Sequence, residues 1–260
     1  RRSLVSKVIA ITNQKGGVGK TTTCVNLAAS LVATKRRVLV IDLDPQGNTT
    51  MGSGIDKNTL SHSVLDVLTQ KVDVNQVIQI STPAGYDLLP SNGDLTAAEV
   101  ELIQVQKKEA RLRLALTQLQ HRYDFVLIDC PPSLNMLTVN ALACANSVLV
   151  PMQCEYYALE GISALLNTVK FIKNSLNPEL VIEGILRTMY DPRNSLTNDV
   201  SHQLINHFGD LVYRTVIPRN VRLAEAPSHG LPALLYDKHS RGAVAYLALA
   251  SEFIRQQEKK

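Results

Sequence analysis

The chain has 260 residues, 45% hydrophobic, 5% aromatic and 19% charged, with 27 Lys and Arg against 23 Asp and Glu for a net charge of +4. This apolar content supports a sizeable core and excludes a disordered chain, while so small a basic excess permits an anionic partner without demanding one. No apolar run reaches membrane-spanning length, and Cys24, Cys130, Cys144 and Cys154 sit in apolar segments without a C-x-x-C pair, so reduced thiols in a cytoplasmic compartment are expected.

The first element is a strand at Val8-Ile9-Ala10-Ile11. The run Lys15-Gly16-Gly17-Val18-Gly19-Lys20-Thr21-Thr22 follows it, and then a helix with Cys24, Leu27, Ala28 and Leu31 on one face. A strand, a glycine-rich turn and a helix form the context that a phosphate-binding loop needs. Glycines let successive backbone N–H groups turn toward phosphate oxygens, and the helix N-terminus adds partial positive charge. Lys20 is placed to reach the terminal phosphates and Thr21 to ligate Mg²⁺. The usual pattern has glycine at position 14; this chain has Gln14 and carries a second lysine, Lys15, at the front of the loop. A bound nucleoside triphosphate is the expectation.

Residues 37–44 read as a second buried strand ending in Asp42 and Asp44. Residues 58–80 carry a helical stripe of Val64, Leu65 and Leu68. A short strand is predicted over 86–90 and a long helix over 96–121. The run Phe125-Val126-Leu127-Ile128-Asp129 is a strand ending in an aspartate, stopped by Pro131 and Pro132. Beyond it come a strand at 147–152, a helix at 158–174, a strand at 180–186, a helix at 197–208, a strand at 212–217 and a terminal helix at 241–256. Aliphatic strands alternating with helices predict an α/β fold: a mostly parallel twisted sheet with helices on both faces. With no repeat or flexible linker, residues 1–260 are expected to form one domain.

The loop at 15–22, the Asp-Leu-Asp-Pro-Gln-Gly-Asn run at 42–48 and the Ile-Asp-Cys-Pro-Pro-Ser run at 128–133 resemble the ParA/Soj family of DNA-partition ATPases. These belong to the deviant Walker-A group of P-loop NTPases, which also holds the MinD cell-division ATPases and the nitrogenase iron protein. The similarity extends to 153–161 and 217–228 and so covers nearly the whole chain; with no N-terminal helix-turn-helix extension expected, it looks like the short form of the family.

The resemblance implies a Mg²⁺-dependent ATP hydrolase that turns over slowly until stimulated. Two subunits sandwich two ATP molecules, with Lys15 of each reaching the other's nucleotide. Residues Lys15, Gly16, Gly17, Val18, Gly19, Lys20, Thr21 and Thr22 would hold the phosphates of ATP or ADP. Thr21 would ligate the metal, Asp129 would support it through water, and Asp44 would position the attacking water. Pro218 and Asn220, with Met189, would lie against adenine. The ATP-bound homodimer would bind double-stranded DNA without sequence preference, through Arg193, Arg219 and Arg222, and be released when a ParB-type centromere-binding partner accelerates hydrolysis; the protein would be nucleoid-associated. Arg187 stands where the family leads us to expect leucine and is either a further basic contact or merely local. A MinD-like membrane ATPase or another cargo-positioning ATPase is the alternative; the former would need a basic amphipathic helix free to lie on a bilayer.

Overall fold

The computed structural model describes residues 6–120 and 123–260. Its strands are β1 (Lys7–Ile11), β2 (Val38–Asp42), β3 (Asp87–Leu89), β4 (Phe125–Asp129), β5 (Ser147–Gln153), β6 (Val181–Tyr190) and β7 (Val212–Pro218). They form one sheet in the order β3-β2-β4-β1-β5-β6-β7, and all neighbours pair in parallel. The helices are α1 (Lys20–Ala33), α2 (Asn48–Gly52), α3 (Val64–Leu68), α4 (Val74–Val77), α5 (Ala98–Ile103), α6 (Arg111–Leu116), α7 (Met136–Cys144), α8 (Ala158–Ser175), α9 (Ser195–Phe208), α10 (Val221–Glu225), α11 (Ala233–Tyr236) and α12 (Arg241–Glu258).

Successive residues of a strand face opposite sides of a sheet, and here both sides are apolar. Val8 and Ala10 of β1 join a core with α3, α7 and α8, whereas Ile9 and Ile11 join Leu27 and Leu31 of α1 and Tyr246, Leu249 and Phe253 of α12. Burial on both faces explains why the strands read as continuous aliphatic runs. The sheet grows from β1 in two directions, with β4, β2 and β3 on one side and β5, β6 and β7 on the other. The strand order therefore reverses at β1, and in open α/β sheets the crevice beyond the carboxyl ends at such a point is where ligands bind.

Three predicted elements differ. Residues 58–80 contain not one helix but a 3₁₀ turn at Lys57–Thr59, then α3 and α4. Ser63 opens α3 with a capping box through Asp66, Gln70 takes a left-handed φ of 60°, and Asp73 caps α4. Local side-chain caps thus override the apolar stripe. The long helix over 96–121 is likewise broken into α5 and α6, with Lys107 left-handed at φ 52° between them, and residue 121 lies outside the described residues. Strand β2 ends at Asp42 and not at Asp44, because the Asp42 carboxylate accepts the N–H of Asp44 and bends the chain.

Candidate functional site

The glycine loop leaves β1 and enters α1 through two left-handed residues, Gly17 at φ 72° and Gly19 at φ 88°. A side chain would strain both positions. Gly19 is the N-cap of α1 and supplies no side-chain hydrogen bond, and no acidic residue stands in the first turn. The first N–H groups of a 14-residue helix are therefore left for an external acceptor, at the end where its dipole is positive. Gln14, Lys15, Gly16 and Gly17 are exposed, whereas Val18 and Lys20 are buried. Thr188 of β6 braces the loop from behind: its hydroxyl donates to the carbonyls of Val18, at 2.7 Å, and Met152, at 3.1 Å.

The Lys20 ammonium curls back and donates to the Lys15 carbonyl at 3.3 Å. Burial lowers its pKa, and the negative charges of Asp129 and Asp44 oppose that shift, so lysine and both carboxylates share one field. Lys15 is exposed and forms an ion pair with Glu155 of the same chain, while its N–H donates to the Asn13 side chain at 3.0 Å.

Beyond the loop, β2 and β4 end side by side with Asp42 opposite Asp129. One oxygen of Asp129, Oδ2, accepts the hydroxyls of Thr21 at 3.0 Å and Thr49 at 2.6 Å. Oδ1 is buried with no protein partner. Asp42 accepts the Thr50 N–H at 2.9 Å, the Thr50 hydroxyl at 2.8 Å and the Asp44 N–H at 3.0 Å. Burial, followed by repulsion from Asp129, lifts the Asp42 pKa to about 7. Burial likewise lifts Asp129 to about 6, against the Thr49 and Thr21 hydrogen bonds. Asp44 is half-buried where the chain turns; its carboxylate accepts the Gln46 N–H at 3.0 Å.

These residues fit a divalent cation. A buried aspartate with one orphaned oxygen, a threonine hydroxyl on the other and a second carboxylate alongside make a hard, anionic oxygen set of the kind Mg²⁺ prefers. A cation there would also relieve the repulsion that raises both aspartates.

The later segments meet at the ends of β6 and β7, where Tyr190 pairs with Pro218. Met189 and Pro218 are half-buried there, with Met189 left-handed at φ 49°. The Asn220 side chain caps α10 by accepting the Leu223 N–H at 3.4 Å. Arg193 clasps Asp191 with two hydrogen bonds of 3.0 Å, and the charge of Arg219 also acts on Asp191, so these loops are neighbours. Arg222 is paired with Glu225 at 2.9 Å and Asp237 at 3.3 Å. Arg219 is exposed and has no ion pair among the described residues.

Of the two readings of Arg187, the basic surface contact is corrected and the side chain is local to the fold. It is buried, donating to the Ser201 hydroxyl at 3.0 Å and the Tyr213 carbonyl at 2.7 Å, with its guanidinium 5.7 Å from the Tyr190 ring centre. Sequence reading missed Thr49, Thr50, Thr188 and Glu155. The signals were the short polar run after Gly47 and, for Glu155, its place in the 153–161 stretch; Thr188 touches the site through long-range contacts. A larger cleft, of about 850 Å³, opens at the other end of the sheet against the C-terminal half of α12. There the helix dipole is negative, three carboxylates stand among the four basic side chains and no glycine loop is present, so the phosphate chemistry read from the loop belongs to the carboxyl end of β1.

A family model described as an AAA domain (AAA_31) matches residues 6–182. The sporulation initiation inhibitor protein Soj of Bacillus subtilis is 53% identical over 95% of this chain and 98% of its own length. The chromosome partitioning protein ParA of Caulobacter vibrioides is 49% identical over 98% of this chain and 96% of its own. A Mycobacterium smegmatis structure described as cobyrinic acid a,c-diamide synthase with bound ADP and magnesium superposes with a TM-score of 0.85 at 38% identity, covering 98% of this chain and 96% of that one. With this domain match and relatives so similar over nearly their full length, the chain belongs to the ParA/Soj family of chromosome-partitioning P-loop ATPases.

Proposed function

We propose that the protein is a Mg²⁺-dependent ATPase that partitions DNA, binding duplex non-specifically as an ATP-bound homodimer and leaving it after hydrolysis. The observation that carries this reading is the uncapped N-terminus of α1 behind Gly17 and Gly19, with Lys20, Thr21, Asp129 and Asp44 gathered at the same sheet end. Amides of residues 16–22 and the Lys20 ammonium hold the β- and γ-phosphates. Thr21 and Asp129 hold Mg²⁺, Asp129 through water; the ion supplies positive charge at the phosphates. Asp44 orients the water that attacks the γ-phosphorus, with ADP leaving. Lys15 exchanges Glu155 for the γ-phosphate of the opposite subunit, a donated charge of the arginine-finger kind. Met189, Pro218 and Asn220 border the base.

DNA phosphates meet Arg193, Arg219 and Arg222, and a ParB-type protein stimulates turnover. Nucleoid association follows from that DNA binding. Two observations weigh against the membrane reading. The apolar side of α12 is packed on the sheet through Tyr246, Leu249, Ala250 and Phe253, so it is not free to lie on a bilayer, and among the described residues no helix is long and apolar enough to cross one.

The test is binding to random-sequence duplex DNA with ATP, ADP or no nucleotide over a salt series. ATP-dependent binding is expected, with a log–log salt slope of about −5 for roughly six phosphate contacts. Binding that ignores nucleotide and salt would sink the reading.

A further inference from the structure

Beside the phosphate loop stand two aromatic side chains that the mechanism above leaves unused. Tyr156 and Tyr157 are 68% and 72% exposed, and their rings stack edge to face with centroids 4.6 Å apart. They border a cavity of about 260 Å³ that runs back to Lys15 and Val18 of the loop and to Met152 and Ile162 of the core. Tyr157 is the N-cap of α8 at φ 64°, and its side chain makes no capping hydrogen bond. Glycine or asparagine would take that backbone more easily, and capping would favour serine or aspartate. Strain of this sort persists where a surface has another use for the residue.

We infer that the Tyr156–Tyr157 pair is the aromatic anchor by which a second copy of this chain docks on the phosphate-loop face. The inference rests on the sandwich-dimer reading and adds the surface that holds the copies together. A two-fold interface must be complementary to itself. This face qualifies, because it carries one cation and one anion, Lys15 and Glu155, adjacent to the two tyrosines. Turned about a two-fold axis, it meets positive with negative on approach, before Lys15 passes to the partner's nucleotide, and ring with ring or cavity. In the next turns of α8 the small residues Gly161, Ser163 and Ala164 are exposed, and a Cβ added at Gly161 would meet nothing within 4 Å, so a partner can approach closely there. A nucleic acid suits the face poorly, since Glu155 and exposed Glu160 flank the rings. Large, rigid aromatics with a pocket beside them are the side chains that dominate protein interfaces.

The test is sedimentation velocity of the full chain with a non-hydrolysable ATP analogue and Mg²⁺, with nucleotide affinity measured separately on each variant. Wild type is expected to dimerise. Tyr156→Ser/Tyr157→Ser should weaken the dimer at least about tenfold while binding ADP, which lacks the γ-phosphate that the partner's Lys15 would contact, as tightly as wild type. Tyr156→Phe/Tyr157→Phe should restore it. Tyr157→Gly, which relaxes the backbone, should still weaken the dimer, and so separates a lost contact from a lost fold. If the double serine variant dimerises like wild type, the inference is wrong and the sandwich reading stands. The inference is equally wrong if that variant dimerises normally but loses stimulation by a ParB-type protein, which would assign the rings to that partner. A wild type that stays monomeric with the analogue overturns both.

Discussion

At the level of single residues, the site is defined by negative charge that the protein alone does not neutralise. Asp42 and Asp129 are both fully buried, and Lys20 is the nearby cation, itself opposed by desolvation. The aspartates are thereby lifted to about 7 and about 6, against about 4 in an unfolded chain. The folded state then holds protons that the unfolded state has already released, from about pH 4 to about pH 7. Stability must therefore fall as pH rises through that window, the reverse of a carboxylate depressed by a salt bridge. We expect the Tm of the metal-free, nucleotide-free protein to fall between pH 5 and pH 7.5, and Mg²⁺ with nucleotide to flatten the slope by supplying the missing cation. Thermal melts in matched buffers read this directly. A Tm that climbs with pH in the bare protein would mean that the two carboxylates are already compensated.

At the level of elements, β6 deserves its length because it serves two regions. Thr188 holds the back of the phosphate loop, and the next-door Arg187 clamps β6 to β7 and α9 through the Tyr213 carbonyl and the Ser201 hydroxyl. Arg187→Ala removes those donors and the packing of the stem, with a cost of about 2–3 kcal/mol and a fall in Tm of roughly 5–10 °C for a chain of this size. Because the guanidinium is buried, the salt slope of DNA binding should not change; a shallower slope would return Arg187 to the DNA surface. Position 187 also shows what could be read without a structure. The strands, the loop and the terminal helix were legible because doubly covered parallel strands are continuous apolar runs, and because the loop chemistry needs a fixed spacing of glycine, lysine and threonine. The breaks in 58–80 and 96–121 were not, since Ser63, Asp73 and Lys107 act through cap and backbone geometry that an apolar stripe conceals. Helix α7 escaped notice because Leu137, Thr138 and residues 140–143 are buried almost all round, leaving no polar face to give a period. The partners of a lone arginine or threonine are set by residues far away in sequence, so Arg187 read equally as a basic contact or a local residue, and Thr49, which seals Asp129, was not singled out.

At the scale of the whole molecule, net charge says little about DNA, because +4 over 260 residues is a weak field. What matters is which arginines are free where the ends of β6 and β7 come together. Arg193 already spends two of its donors on Asp191, and Arg222 is divided between Glu225 and Asp237. A phosphate must displace those carboxylates before it can use either side chain, so each contributes less than an unpaired arginine would. Arg219 has no such competitor among the described residues, yet it lies close enough to Asp191 to lower that group's pKa. Two opposite effects follow for the proposed ATP-bound dimer, in which each substitution would count twice. Arg219→Ala should weaken binding to random duplex uniformly across sequences and make the log–log salt slope shallower by about 2. Asp191→Asn, which removes a negative charge and releases Arg193 from a bidentate pair, should tighten binding and steepen the slope. Fluorescence anisotropy over a salt series, with nucleotide affinity as the control, separates these outcomes. If Arg219→Ala binds like wild type, or if Asp191→Asn weakens binding, the duplex does not lie across the ends of β6 and β7, and the search moves to another basic face.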